Sequence, residues 1–115
     1  MKKNYLNNKE FEQLIKDYIE DPVKYEDTFV ISFDLLITNI IKTFNFNVEE
    51  DDAKQECFLL ILKIIGNFDP SRGTAFNYFT TTIKNQLNLM YTKKKRYQEK
   101  LEIYETIKDE NSLKF

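Results

Sequence analysis

The sequence predicts an all-α fold, a compact bundle of four main helices with a helical or mobile C-terminal tail. Three observations predict it. Apolar side chains recur at helical spacing in four successive segments. The two prolines and two glycines of the 115 residues stand between those segments, not within them. An apolar content of 42% and an aromatic content of 15% place the chain among packed domains and not among disordered ones.

The first helix starts at Asn7 or Asn8, whose side-chain oxygen can accept from a free backbone N–H, with Glu10 in the first turn. Phe11, Leu14, Ile15 and Tyr18 fall at i, i+3, i+4 and i+7 and make one apolar face. Asp21-Pro22 ends it, because proline lacks an N–H and disfavours helical geometry in the residue before it. A long second helix is predicted from about Tyr25 to Phe44 on the period of Phe29, Phe33, Leu36, Ile37, Ile40, Ile41 and Phe44. The β-branched residues among these favour a strand, but period and length decide for a helix. Asn47 is the expected N-cap of a third helix, from about Val48 to Gly66, whose first turn carries Glu49, Glu50, Asp51 and Asp52 at the positive end of the helix dipole.

Ala53, Cys57, Leu60, Ile61, Ile64 and Ile65 form the inward face of that helix. Phe58, Leu59 and Leu62 lie toward its flank and back, among Asp52, Gln55, Glu56 and Lys63. An apolar patch rimmed by polar groups either binds another protein or is covered by the first helix or the C-terminal segment. Gly66 serves as a helix stop, and Asp69-Pro70-Ser71-Arg72-Gly73 makes a tight reversal. The fourth helix runs from about Thr74 to Lys100, with Phe76, Phe79, Ile83, Leu87 and Met90 as its core stripe. Beyond it, Leu101, Ile103, Tyr104 and Ile107 can continue a helix that ends near Asp109-Glu110-Asn111. Residues 1–100 are thus one domain, with its core motif in residues 48–100, and residues 101–115 are an extension.

The single Cys57 excludes an internal disulfide, sits in an apolar helical stretch as a core thiol would, and fits a reducing cytoplasm. The longest apolar segment, residues 57–62, is far short of the ~20 residues of a membrane span, so no membrane partner is expected. The net charge of −2 points to no partner, but its distribution does. Residues 1–47, 48–69, 70–100 and 101–115 carry −2, −4, +6 and −2, so the positive charge collects on the fourth helix and the turn before it.

The composition speaks against catalysis. There is no histidine, the one cysteine has no evident activating base, and two glycines cannot build a phosphate-cradling loop. The cluster Glu49-Glu50-Asp51-Asp52 lacks the alternating ligands and central glycine of a calcium loop and reads as a solvated helix start, so no metal and no cofactor is expected. The fourth helix offers other chemistry. Single-stranded DNA is held by cations along its phosphates, by aromatic faces under unstacked bases and by amides at base edges. Tyr78, Phe79 and Tyr91 can supply rings, Asn85, Gln86 and Asn88 amides, and Lys84 with Lys93, Lys94, Lys95 and Arg96 phosphate contacts. The competing reading is a core stripe at Phe76 and Phe79 followed by a solvated basic helix end.

Asp52-x-x-Gln55-Glu56-x-Phe58-Leu59, then Phe68-Asp69-Pro70-x-Arg72-Gly73, then Phe76-x-x-Phe79 and a basic helix end resemble, in order and spacing, region 2 of bacterial sigma factors. The match covers roughly the middle 45 residues and runs without a gap against the short extracytoplasmic-function type. Tyr5-Leu6-Asn7-Asn8-Lys9-Glu10, and the lack of a second DNA-binding domain, are more similar to the late-transcription sigma factors of tailed phages.

The resemblance implies a transcription initiation factor that is not itself an enzyme and that works in the cytoplasm, of a bacterial host if phage-encoded. Its polymerase face would be Asp52, Gln55, Glu56, Phe58, Leu59 and Leu62, docked on the clamp helices of the largest subunit of a multisubunit RNA polymerase. Its DNA face would hold the melted, single-stranded non-template strand of a minus-ten promoter element through Arg72, Tyr78, Phe79, Thr82, Lys84, Asn85, Gln86, Asn88 and residues 93–96. Housekeeping sigma factors carry a tryptophan pair where this chain has Thr82 and Ile83, so the melting wedge differs. The helix-turn-helix for the upstream element is missing, and a coactivator or sliding clamp is a candidate substitute. Ser112-Leu113-x-Phe115 resembles the clamp-binding segment of the phage factors, with Leu113 and Phe115 as anchors, although a tail burying both in the domain is the competing reading. A helical adaptor or inhibitor that occupies the same clamp helices without reading DNA, and an autonomous DNA-binding protein, are the alternatives.

Overall fold

The computed structural model describes residues 7–113, with side chains for residues 7–110. Four α-helices follow one another: α1 (Asn8–Glu20), α2 (Pro22–Thr43), α3 (Glu50–Ile64) and α4 (Ala75–Leu113). Two single 3-10 turns, Ile65–Asn67 and Pro70–Arg72, join α3 to α4, and no strand occurs among the described residues. Tyr5, Leu6 and Phe115 lie outside them.

Asn7 is the N-cap of α1, its Oδ1 accepting from the Glu10 N–H at 2.9 Å. Asp21 serves two helices: its N–H donates to the Asp17 carbonyl as the cap of α1, and its carboxylate accepts from the Lys24 N–H as the N-cap of α2. The second helix therefore begins at Pro22, earlier than period alone predicts, because proline at the first helical position loses no hydrogen bond. At the other end of α2, Asn45 takes φ 54°, a left-handed conformation that asparagine tolerates. Its N–H reaches the Lys42 carbonyl and the Phe46 N–H the Ile41 carbonyl, while the Phe46 ring packs on the core.

The cap of α3 is Glu49, not Asn47. Both Glu49 carboxylate oxygens turn onto the helix, accepting from Asp51 N–H at 3.3 Å and Asp52 N–H at 2.6 Å. Lys54 then bridges Glu50 and Asp34 at 3.2 Å each, tying the start of α3 to α2. Gly66 is not a left-handed stop; it lies inside the first 3-10 turn, and Gly73 is the glycine with positive φ.

The core is aromatic at its centre. Phe33 of α2 is fully buried and touches three rings: Phe11 of α1 at 5.0 Å, Phe29 at 4.8 Å and Phe79 of α4 at 5.1 Å between centroids. Each such pair adds about 0.5–1.5 kcal/mol beyond its area burial. Ile37, Ile61, Ile83, Leu87 and Cys57 complete the packing. Burial pushes the Cys57 thiol up to about 11, so it stays protonated and inert.

α4 leaves this bundle. Leu87 is its last fully buried residue and Met90 its last half-buried one, and every side chain from residue 91 to 110 is exposed. The helix continues past Lys100 to Leu113 because residues 91–113 contain no proline or glycine and are rich in strong helix formers. Its 39 residues account for most of the 67 Å long dimension. No helix among the described residues is long and apolar enough to cross a membrane.

Phe79→Ala should cost about 3–5 kcal/mol in urea unfolding, and Tyr91→Ala, at an exposed site, less than about 0.5 kcal/mol. Equal losses would contradict this division between core and extension.

Candidate functional site

α3 and α4 present the side chains singled out in the sequence, and the turn between them sets their relation. Asp69 organises that turn. Its carboxylate accepts from the Ser71 N–H at 2.9 Å and from the Ser71 hydroxyl at 2.7 Å, capping the second 3-10 turn. The Ser71 hydroxyl and then its N–H hold the Asp69 carboxyl below its ordinary value. Gly73 follows at φ 154°, a conformation in which a side chain is strained. α4 then starts with two borrowed acceptors: Thr74 Oγ1 takes the Asn77 N–H at 3.2 Å, and Asn8 Oδ1, from the start of α1, takes the Phe76 N–H at 3.3 Å. Phe76 stacks on Phe11 at 4.9 Å and 10°, so the first turn of α4 is pinned to α1.

Between the turn and α4 lies an open cleft of about 450 Å³. Arg72, Tyr78 and Thr82 line it, as do Asn67, Phe68, Asn77 and Thr81, which the sequence reading left out of the site. The Phe68 ring lies 5.5 Å from that of Tyr78 and 5.8 Å from that of Phe79, making an aromatic wall. Thr82 donates its hydroxyl to the Tyr78 carbonyl at 2.9 Å, leaving its oxygen as an acceptor. The cleft thus offers ring faces, amides and hydroxyls beside one guanidinium. Thr74, Tyr78 and Thr81 fall at i, i+4 and i+7, and that spacing is the sequence signal for a shared face.

The same face of α4 continues downward through Asn85 and Asn88 to Lys95 and Arg96, all exposed. Other expected DNA contacts lie elsewhere. Phe79 is corrected outright: it is 0% exposed, its ring enclosed by Phe33, Phe68 and Tyr78, and no face is open to a base. Lys84 points toward α2, its Nζ 4.0 Å from the centroid of the Phe44 ring, a cation–π contact that anchors the chain. Gln86 and Lys93 face α3, while Lys94 lies on the line of the core stripe.

On α3, Asp52, Gln55, Glu56, Leu59 and Leu62 form one exposed stripe, with Leu59 59% and Leu62 48% open to solvent. Neither α1 nor the C-terminal part of α4 covers it. Phe58 is half-buried against the core and supports the stripe from one side. The two surfaces meet in a second groove, of about 350 Å³, where Asp52, Gln55 and Glu56 of α3 face Gln86, Met90 and Lys93 of α4. Leu113 is the last residue of α4, and Phe115 is outside the described residues.

Comparison of the chain with protein-family models, with curated proteins and with solved structures finds no match in any of the three.

The turn yields a measurable prediction. A carboxyl whose pKa is lowered on folding contributes stability that is complete above its ordinary value of 3.8 and is lost as pH falls through the folded value. Ser71→Ala removes the hydroxyl donor and should move the Asp69 titration, followed by carboxyl carbon NMR, back toward 3.8. An unchanged midpoint would mean that the Ser71 hydroxyl does not hold this carboxylate.

Proposed function

We propose that this chain is a sigma region-2-like transcription initiation factor that docks on the clamp helices of a multisubunit RNA polymerase and holds melted promoter DNA. The observation that carries the proposal is the cleft of Arg72, Phe68, Tyr78 and Thr82, continued on one face of α4 by amides and then by cations. A volume of about 450 Å³ accommodates a nucleotide-sized ligand. Base–aromatic stacking, amide contacts to base edges and cations spaced along a backbone are the means by which single strands are held. The α3 stripe supports the other half of the reading, since exposed leucines among carboxylates and amides suit a protein partner.

In this reading Tyr78 and Phe68 receive an unstacked base, Arg72 pairs with a nearby phosphate, and Asn85 and Asn88 meet the following nucleotides. Lys95 and Arg96 neutralise the backbone beyond. Gln86 and Lys93 sit where DNA and polymerase would come together, Thr82 lines the cleft beside Tyr78, and Lys84 acts by fixing α2 to α4. Such a factor works in the bacterial cytoplasm. Leu113 and Phe115 remain the proposed contact to a sliding clamp.

The test uses the chain bound to bacterial core RNA polymerase and a promoter template with a pre-melted bubble. Replacing Gln55 by Ala together with Glu56 by Lys should abolish polymerase capture while the helical circular dichroism is kept, since both residues are exposed. Tyr78→Ala should lower bubble affinity roughly 5- to 150-fold, the equivalent of about 1–3 kcal/mol for one stacked base, with polymerase capture retained. Lys95→Ala with Arg96→Ala should reduce the slope of log affinity against log salt by about 1 to 2. Polymerase capture that survives the α3 change in a folded protein would defeat the docking assignment. Capture with no bubble binding by the parent chain would favour the adaptor that does not read DNA.

A further inference from the structure

The apolar line of α4 does not end where the bundle ends. Ile83 and Leu87, both buried, and the half-buried Met90 follow a four-then-three spacing. The same spacing runs on through Lys94, Tyr97, Leu101 and Tyr104, a heptad seam that stays exposed among the described residues. Tyr97 and Tyr104 are each 64% exposed and Leu101 between them is 42% exposed. A helix projecting about 34 Å from its bundle with such a stripe gains little by standing alone in water.

Charge identifies what fits the stripe. Residues 93–100 hold five cations and one carboxylate, and residues 101–110 hold four carboxylates and one cation. Two parallel copies would set like charge on like. Two antiparallel copies crossing near Leu101 set the basic half of each against the acidic half of the other, with Lys93 level with Asp109 of the second copy. A two-fold axis makes both contacts at once, because an isologous interface repeats every pairing.

We propose that this chain self-associates through the projecting part of α4, as an antiparallel pair whose seam is Tyr97, Leu101 and Tyr104. The proposal is independent of the transcription reading. Lys95 and Arg96 are turned away from this seam, so the pair leaves the face that continues from the cleft open.

Sedimentation equilibrium of the whole chain at low salt should show the mass rising from 13.9 kDa toward twice that value through the micromolar range. Leu101→Glu with Tyr104→Glu, two exposed positions, should return it to the monomer without lowering the helical melting transition of the bundle. Orientation is read by a short bismaleimide on single-cysteine variants, the buried Cys57 being unreactive. Leu101→Cys should cross-link, whereas Lys94→Cys should not, because antiparallel packing sets the two copies of that position about 21 Å apart along the axis. A chain that stays monomeric at hundreds of micromolar, a dimer that survives the double glutamate variant, or equal cross-linking at 94 and 101 would each overturn the proposal.

Discussion

The packing of Phe33 against Phe11 and Phe79 is the contact on which the rest of the architecture depends. It is where α1, α2 and α4 meet, and its three members are all at most 2% exposed. Rings of this size leave little freedom for compensation: the 49° tilt of Phe11 on Phe33 and the 83° edge contact of Phe33 on Phe79 fix how α4 is rotated about its own axis. That rotation then decides which side chains of α4 face solvent. With Phe79 inward, Tyr78 turns to the cleft and Ile83 and Leu87 follow Phe79 into the core.

The cleft inherits its shape from this arrangement and from short polar contacts around its mouth. Asn8 reaches across 68 residues of sequence to receive the Phe76 N–H, so the beginning of α1 helps set the position of the beginning of α4. Asp69 and Gly73 shape the other wall, the first through its two bonds to Ser71 and the second through its unusual backbone angle. The rings of Phe68 and Tyr78 supply its apolar lining. Such a site is rigid beneath and adaptable at its rim, where Arg72 and Asn77 are exposed.

Much of this fold was legible in the sequence because it rests on helical period and on local end signals. Phe11, Leu14 and Ile15, like Ile37, Ile40 and Ile41, are buried where their spacing places them, and Asp21-Pro22 separates two helices as its chemistry requires. The failures are of a different kind. Phe79 and Tyr78 are adjacent aromatics about 100° apart on a helix, and only the neighbouring helices decide which ring is enclosed. Glu49 displaced Asn47 as a cap because its longer side chain folds back onto two N–H groups. Leu101, Ile103, Tyr104 and Ile107 continue the helical pattern of α4 past Lys100 with no proline or glycine to stop it, whereas its departure from the bundle depends on tertiary contacts that no local signal carries. Phe68 was passed over because an aromatic residue in a turn belongs to no stripe; the Asp-Pro that follows it was the remaining cue. Lys84 looked free on a helical wheel, and its place over the Phe44 ring depends on where α2 ends.

Because α4 is one unbroken helix from Ala75 to Leu113, the angular relation between the cleft and the projecting stripe is set by a count of residues. Each residue added or removed between Met90 and Tyr97 would turn everything beyond it by about 100°. A single insertion would swing the Tyr97 and Leu101 side away from the line of the core stripe, while a seven-residue one would return it to within about 20° of its starting direction. Length variation among descendants of this sequence should therefore come in whole heptads along this segment.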